Sequence, residues 1–231
     1  MTRQPEAARR APLSRDRVLR AAVALADAIG IDALSMRRLA QELGVVPMAL
    51  YKHVANKEQL LDGMVDFVLD EIGPPAPGPD WRPAVRARIL TARSALLGHP
   101  WAARVIQSRT APTPALLGYT DSLIGLFRTG GCSVDLTHHA MHALGSRMLG
   151  FTQELFDDSP GATPPDPAVL RALAANFPYV AELATAGAHD EKSVVGPGCD
   201  DQFEFEFALD LLLDGLARLH RSGWSSTATT G

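Results

Sequence analysis

A chain of 231 residues, 46% of them hydrophobic and 21% charged, has material for a large helical core or for a small domain joined to a larger one. With no apolar run of roughly 18 residues, and an opening MTRQPEAARRAPLSR that lacks an apolar stretch, neither a spanning helix nor a signal peptide is expected, so cytoplasmic residence and no membrane partner follow. The net charge of −4 argues against a polyanion partner until it is split by position: residues 1–57 carry ten basic against five acidic side chains, and the remainder twelve against twenty-one, the asymmetry of a basic module on an acidic body.

Residues 1–13 read as a disordered arm in which Arg9 and Arg10 either enter a minor groove or stay solvated. Ser14 then caps a helix with apolar positions Val18, Leu19, Ala22, Leu25, Ala26 and Ile29, and Gly30 ends it. Ser35 caps a shorter helix, MRRLAQEL, stopped by Gly44. Pro47 suits a first helical position and opens PMALYKHV. Asn56 with Gln59 forms a capping box for KEQLLDGMVDFVLDEI.

GPPAPGPD, residues 73–80, cannot continue a helix and reads as a stiff linker. Beyond it, helices are predicted from Arg82 to Leu97, Pro100 to Gln107, Pro114 to Thr129, Ser133 to Phe156, Pro167 to Ala186 and Asp201 to Arg221, separated by Gly- and Pro-rich breaks. Residues 222–231 read as a disordered tail. The predicted organisation is therefore an arm (1–13), a helix-turn-helix domain (14–57), a connecting helix (58–72), a linker (73–80), and a helical body (81–221). Cys132 and Cys199 lie far apart and read as free thiols rather than a disulfide or a zinc pair.

A helix-turn-helix needs a small residue where its helices touch, a turn residue that tolerates positive φ, and an apolar wedge under the second helix. Ala40, Gly44 and Leu50 stand at those offsets, with Leu39, Leu43, Val45 and Val54 completing the core. The segment SMRRLAQELGVVPMALYKHVANKEQLLDGM, with LAxxLGV, LYxHV and NKxxLLD, closely resembles the TetR family of repressors. More loosely, GHPWAARVIQSRTAPTP and FEFALDLLLDGL resemble its tetracycline-repressor-like subgroup. The resemblance implies an all-α fold: an N-terminal three-helix DNA-binding domain followed by a larger helical ligand-binding and dimerisation domain.

The residues at the tip can also be read chemically. Arg37, on the first turn of the second helix, reaches a guanine edge or a phosphate. Pro47, Met48 and Ala49 head the helix that enters the groove, where small apolar groups suit thymine methyls. Lys52 reads a base or a phosphate. Tyr51, His53 and Lys57 fit phosphate positioning, with packing an equal role for the Tyr51 ring, and the resemblance implies phosphate contact for Ser35 too. The start of the fourth helix offers backbone donors for another phosphate.

The final helix places apolar side chains around nearly its whole circumference, and such a helix must be covered on every side. A second copy supplies that cover, so Phe203, Phe207, Leu211, Leu212 and Leu216 are assigned to dimerisation. The resemblance implies a four-helix interface with the Ser133–Phe156 helix. Two identical heads then require a roughly palindromic double-stranded DNA operator.

For a small-molecule effector, His99, Trp101, Arg104, Gln107, Tyr119, His142, Met148, Phe151 and Thr152 are the assigned pocket residues. His138 and His142 share a helix face, but a third metal ligand is not evident. The tetracycline repressor holds magnesium with its drug through a histidine after a glycine in this helix; here Gly145 precedes Ser146 and Arg147. No metal and no cofactor are assigned. No GxSxG, HExxH, P-loop or Rossmann fingerprint occurs, so no enzyme is expected. The reading is a repressor released from a palindromic operator by an effector, with an activator, or an architectural DNA-binding protein without an effector, as the alternatives.

Overall fold

The computed structural model describes residues 12–75, 80–149, 167–186 and 201–229, which are helical, with no strand among them. The chain divides into two compact units, residues 1–137 and 138–231.

In the first unit, α1 (Arg15–Ile29) begins where the Ser14 hydroxyl accepts from the Arg17 N–H at 3.2 Å, and ends at Gly30, whose φ of 81° only glycine adopts readily. Helix α2 (Met36–Leu43) repeats the device, with Ser35 accepting from the Arg38 N–H. Helix α3 is shorter than the eight-residue segment expected. It spans Pro47–Leu50, and the chain beyond it closes in turns in which the His53 and Val54 amides both donate to the Leu50 carbonyl.

Helix α4 (Lys57–Asp70) is the spine of this unit. Asn56 caps it, accepting from the Gln59 N–H at 2.8 Å, while the Gln59 side chain accepts from the Ala55 N–H. In the expected capping box that return bond goes to the Asn56 amide; here it lands one residue earlier and ties down the incoming loop. Leu60, Leu61, Met64, Val65, Val68 and Leu69 are all buried, because α4 packs on α1 along one face and on α5, α6 and α7 along others. Full burial of such side chains contributes about 1.5–3 kcal/mol each. Gly63 allows the closest approach to α1, since a Cβ there would fall 2.7 Å from a Leu19 methyl carbon.

Helices α5 (Trp81–Gly98), α6 (Ala102–Ser108) and α7 (Pro114–Thr129) follow. Helices on both sides of the Pro-rich stretch pack against α4. The Trp81 and Phe127 rings meet at 5.1 Å between α5 and α7.

Helix α8 (Val134–Leu149) opens under Ser133, whose hydroxyl accepts from the Leu136 N–H; the further extent expected to Phe156 lies outside the described residues. The second unit holds the rest of α8 with α9 (Pro167–Asn176), α10 (Pro178–Ala186) and α11 (Asp201–Arg221). One helix was expected across residues 167–186, but Pro178 has no N–H to extend the ladder and the helix breaks at Phe177. Helix α11 runs antiparallel to α8: Arg147 donates to the Glu204 carbonyl and lies over the Phe205 ring, while His139 meets Trp224 at the other end. Gly223, with φ of 65°, lets the Trp224 amide bond back to Leu219, and a 3₁₀ turn follows at Ser226–Thr229.

Candidate nucleic-acid interface

The wedge between α2 and α3 is built from the turn outward. Gly44 takes the left-handed conformation, φ 65° and ψ 38°, and the Val45 amide returns to the Ala40 carbonyl at 3.0 Å. That reversal carries the chain into α3, which packs back on α2. Leu39, Ala40, Leu50 and Val54 are completely buried behind it, so the tip is fixed from within.

The residues on the outer face are those the sequence singled out. Ser35, Arg37, Pro47, Met48, Tyr51, Lys52 and Lys57 are exposed, and Ala49 and His53 are half-buried. Tyr51 is exposed enough to face a ligand and does not serve as core. Sequence reasoning missed Val46. It precedes Pro47 in extended conformation, as residues before proline do, and is 68% exposed beside Met48 at 70%. Val46 and Met48 are thus two large apolar side chains exposed at the start of α3, on a segment that also exposes Arg37, Lys52 and Lys57.

Behind the wedge lies a brace that sequence reasoning did not anticipate. The start of the α6 segment meets α1 and the end of α4. His99 Nδ1 lies 2.9 Å from Asp27 and Nε2 3.3 Å from Glu71, and the Trp101 indole donates to the same Asp27 oxygen at 2.7 Å. Arg104 donates to Asp32 in the turn after α1. At the other end of α6, Arg109 pairs with Glu58 and Asp62 on the first turns of α4. Helix α6 is thus strapped antiparallel along α4 and reaches over to α1.

The expected effector residues divide accordingly. His99, Trp101 and Arg104 are engaged with carboxylates of the N-terminal helices, Gln107 is exposed, and Tyr119 lies on α7. His142 and Met148 belong to the second unit, and Phe151 and Thr152, like Arg9, Arg10 and Cys199, fall outside the described residues. Cys132 is a buried free thiol, pushed up in pKa by burial against the opposing charge of Arg128. The rings of His138 and His142 lie 4.7 Å apart; among the described residues no group of three His, Cys, Asp or Glu side chains is placed to hold a metal.

On α11, Phe205, Leu209, Leu213, Leu216 and Ala217 form the buried stripe. Phe203, Phe207 and Leu211 form an exposed one, with the two Phe rings stacked at 6.3 Å. Of the five residues assigned to dimerisation, Leu212 is half-buried, and Leu216 faces inward within a single chain.

Two family profiles cover this architecture. “Bacterial regulatory proteins, tetR family” matches residues 18–64, and “Tetracyclin repressor-like, C-terminal domain” matches residues 74–219. The chain belongs to the TetR family. Among relatives of this TetR-family protein, the HTH-type transcriptional repressor DrrR1 of Streptomyces coeruleorubidus is 32% identical over 93% of the chain and 81% of its own length. The Streptomyces coelicolor TetR-family protein ActR, solved in complex with (S)-DNPA, superposes with a TM-score of 0.68 at 30% identity, covering 91% of this chain and all of that one. BioQ, solved with its double-stranded DNA operator, gives a TM-score of 0.57 at 27% identity over 90% and 99% of the two chains. No helix among the described residues is long and apolar enough to cross a membrane.

Proposed function

We propose that this TetR-family protein is a cytoplasmic transcriptional repressor, not an enzyme, that binds a palindromic operator as a homodimer and is released by a small-molecule effector. The observation that carries the reading is the exposure of Val46 and Met48 together with Arg37, Lys52 and Lys57 on a helix-turn-helix whose Leu50 and Val54 are fully buried. Arg37 is assigned to a base edge; Ser35, Tyr51, His53 and Lys57 to phosphates. The exposed stripe Phe203, Phe207 and Leu211 is assigned to the partner chain, which sets two heads about one helical turn apart.

Release follows from the brace. A ligand that favours a different placement of α6 moves α4 through Glu58, Asp62 and Glu71, and moves α1 through Asp27 and Asp32. The wedge rides on α1 and α4, so the spacing of the two heads changes. The effector shifts this equilibrium only by its differential affinity for the two arrangements. The repressor among the relatives, the ligand complex of ActR and the operator complex of BioQ support this reading.

Selection of duplexes from a random pool by the purified protein tests it. The expected product is a consensus of two inverted half-sites; a pool that stays random, or a consensus without two-fold symmetry, overturns the proposal.

A further inference from the structure

A charged side chain taken out of water requires an opposite charge or a full set of hydrogen bonds. Arg88, in the middle of α5, is 7% exposed, the one charged residue buried among the described residues, and it has neither. One terminal nitrogen donates to the Gly73 carbonyl just beyond α4, the other to the Ser122 hydroxyl on α7 at 3.1 Å, and the guanidinium lies 4.8 Å from the centre of the Tyr119 ring. Its Nε–H is buried without an acceptor. Arg109 and Arg147 also have a buried unmet Nε, but Arg109 is paired with Glu58 and Asp62, and Arg147 is only half-buried as a residue. Tyr119 supplies no countercharge, because burial pushes its phenol up to about 12 in spite of Arg88.

Holding a carbonyl and a hydroxyl together does not require a positive charge; a neutral donor would do it without the cost of desolvating an ion. We propose that Arg88 is the anchor for an organic carboxylate, the chemical class of the effector. The proposal rests on the reading of the chain as an effector-responsive regulator. A carboxylate approaching the Nε edge takes the unmet N–H and the neighbouring terminal N–H side by side, the bidentate arrangement that guanidinium favours. Ser122 is free to yield its acceptor role, since its own hydroxyl proton already goes to the Tyr119 carbonyl at 2.7 Å. Drawing the guanidinium toward a ligand also loosens its hold on Gly73, at the end of the helix that carries the brace.

The test uses the full-length, DNA-free protein and matched acid–amide pairs: benzoate, 2-naphthoate and decanoate, each against its primary amide, titrated by calorimetry. At least one acid is expected to bind about tenfold or more tighter than its amide, the discrimination that a hydrogen-bonded charge pair supplies. Arg88→Gln is expected to erase that preference while the unliganded protein keeps or gains stability to urea, and Arg88→Lys to retain part of it. Equal binding of acids and amides by the wild type, or no binding of any acid, overturns the proposal without recourse to a variant. So does a large loss of unliganded stability in Arg88→Gln with the acid preference intact, which would make the residue a structural staple. Operator selection is measured separately, so loss of the regulatory reading and loss of this anchor give different results.

Discussion

The Nδ1 atom of His99 lies 2.9 Å from Oδ1 of Asp27, across 72 residues of sequence, and joins the corner between α5 and α6 to the last turn of α1. Its other nitrogen faces Glu71 at the end of α4. A neutral imidazole has a single N–H, so only the imidazolium donates to both carboxylates. Three helices therefore converge on one ring, and its protonated form ties the DNA-reading head to the helix behind it through both carboxylates.

Burial pulls the His99 pKa down, but the hydrogen bond and charge of Asp27, then those of Glu71, outweigh it and leave the pKa raised. Such a group contributes its full stabilisation below the unfolded value, about 6.5, and loses it as pH climbs through the higher folded value. Resistance to urea at fixed protein concentration is expected to fall as pH rises above about 6.5, and Asp27→Asn to flatten that fall. The imidazole Cε1 proton, assigned by comparison with His99→Gln, is expected to titrate above ordinary histidine in the wild type and nearer to it in Asp27→Asn. An identical titration in both proteins would dismiss the contact.

The two stripes of α11 predict opposite outcomes from similar substitutions. Leu211 is 58% exposed and Leu213 is fully buried. Leu211→Glu is expected to give a folded monomer by sedimentation equilibrium and circular dichroism, whereas Leu213→Glu, which buries a charge, unfolds the chain. A Leu211→Glu protein that remains dimeric would place the interface elsewhere.

At the tip, Arg37→Ala is expected to relax base preference at one position per half-site and to cost about 1–3 kcal/mol there if the guanidinium reads guanine. Uniform weakening on every duplex would reassign Arg37 to phosphate. Lys57→Ala is expected to lower the slope of log affinity against log salt by about one unit on all sequences, and an unaltered slope would take Lys57 out of the interface.

Gly130 ends α7 against the Trp81 ring, and a Cβ at that position would fall 2.5 Å from Trp81 Cγ and Cδ1. Gly130→Ala is therefore expected to force the ring off Phe127 and to destabilise the protein by about 1–3 kcal/mol, the usual cost of overpacking. Chemical denaturation measures it; a change within a few tenths would mean that α5 and α7 separate there without strain.

The features legible in the sequence are those set by neighbours three or four residues away. Ser14, Ser35 and Asn56 each cap the helix they precede because their side chains reach an amide three residues on, and Gly44 marks the turn because its φ is positive. Val46 was within reach of the same reasoning, through the proline after it. The break at Pro178 was equally local, but the apolar periodicity ran through it. What escaped depends on tertiary distance. Nothing near His99, Trp101 or Arg104 in sequence announces Asp27 or Asp32, so their polar groups read as ligand anchors. Arg88 sits in a helix rich in arginines, and only the packing of α5 against α7 reveals which of them is buried without a carboxylate.

Operator binding requires the α2–α3 wedge to tell one duplex from another. Fluorescence anisotropy at near-physiological salt, comparing a labelled duplex that carries the selected palindrome with a scrambled duplex of equal composition, tests this directly. A preference of about a thousandfold or more is expected; equal affinity for the two duplexes would contradict it.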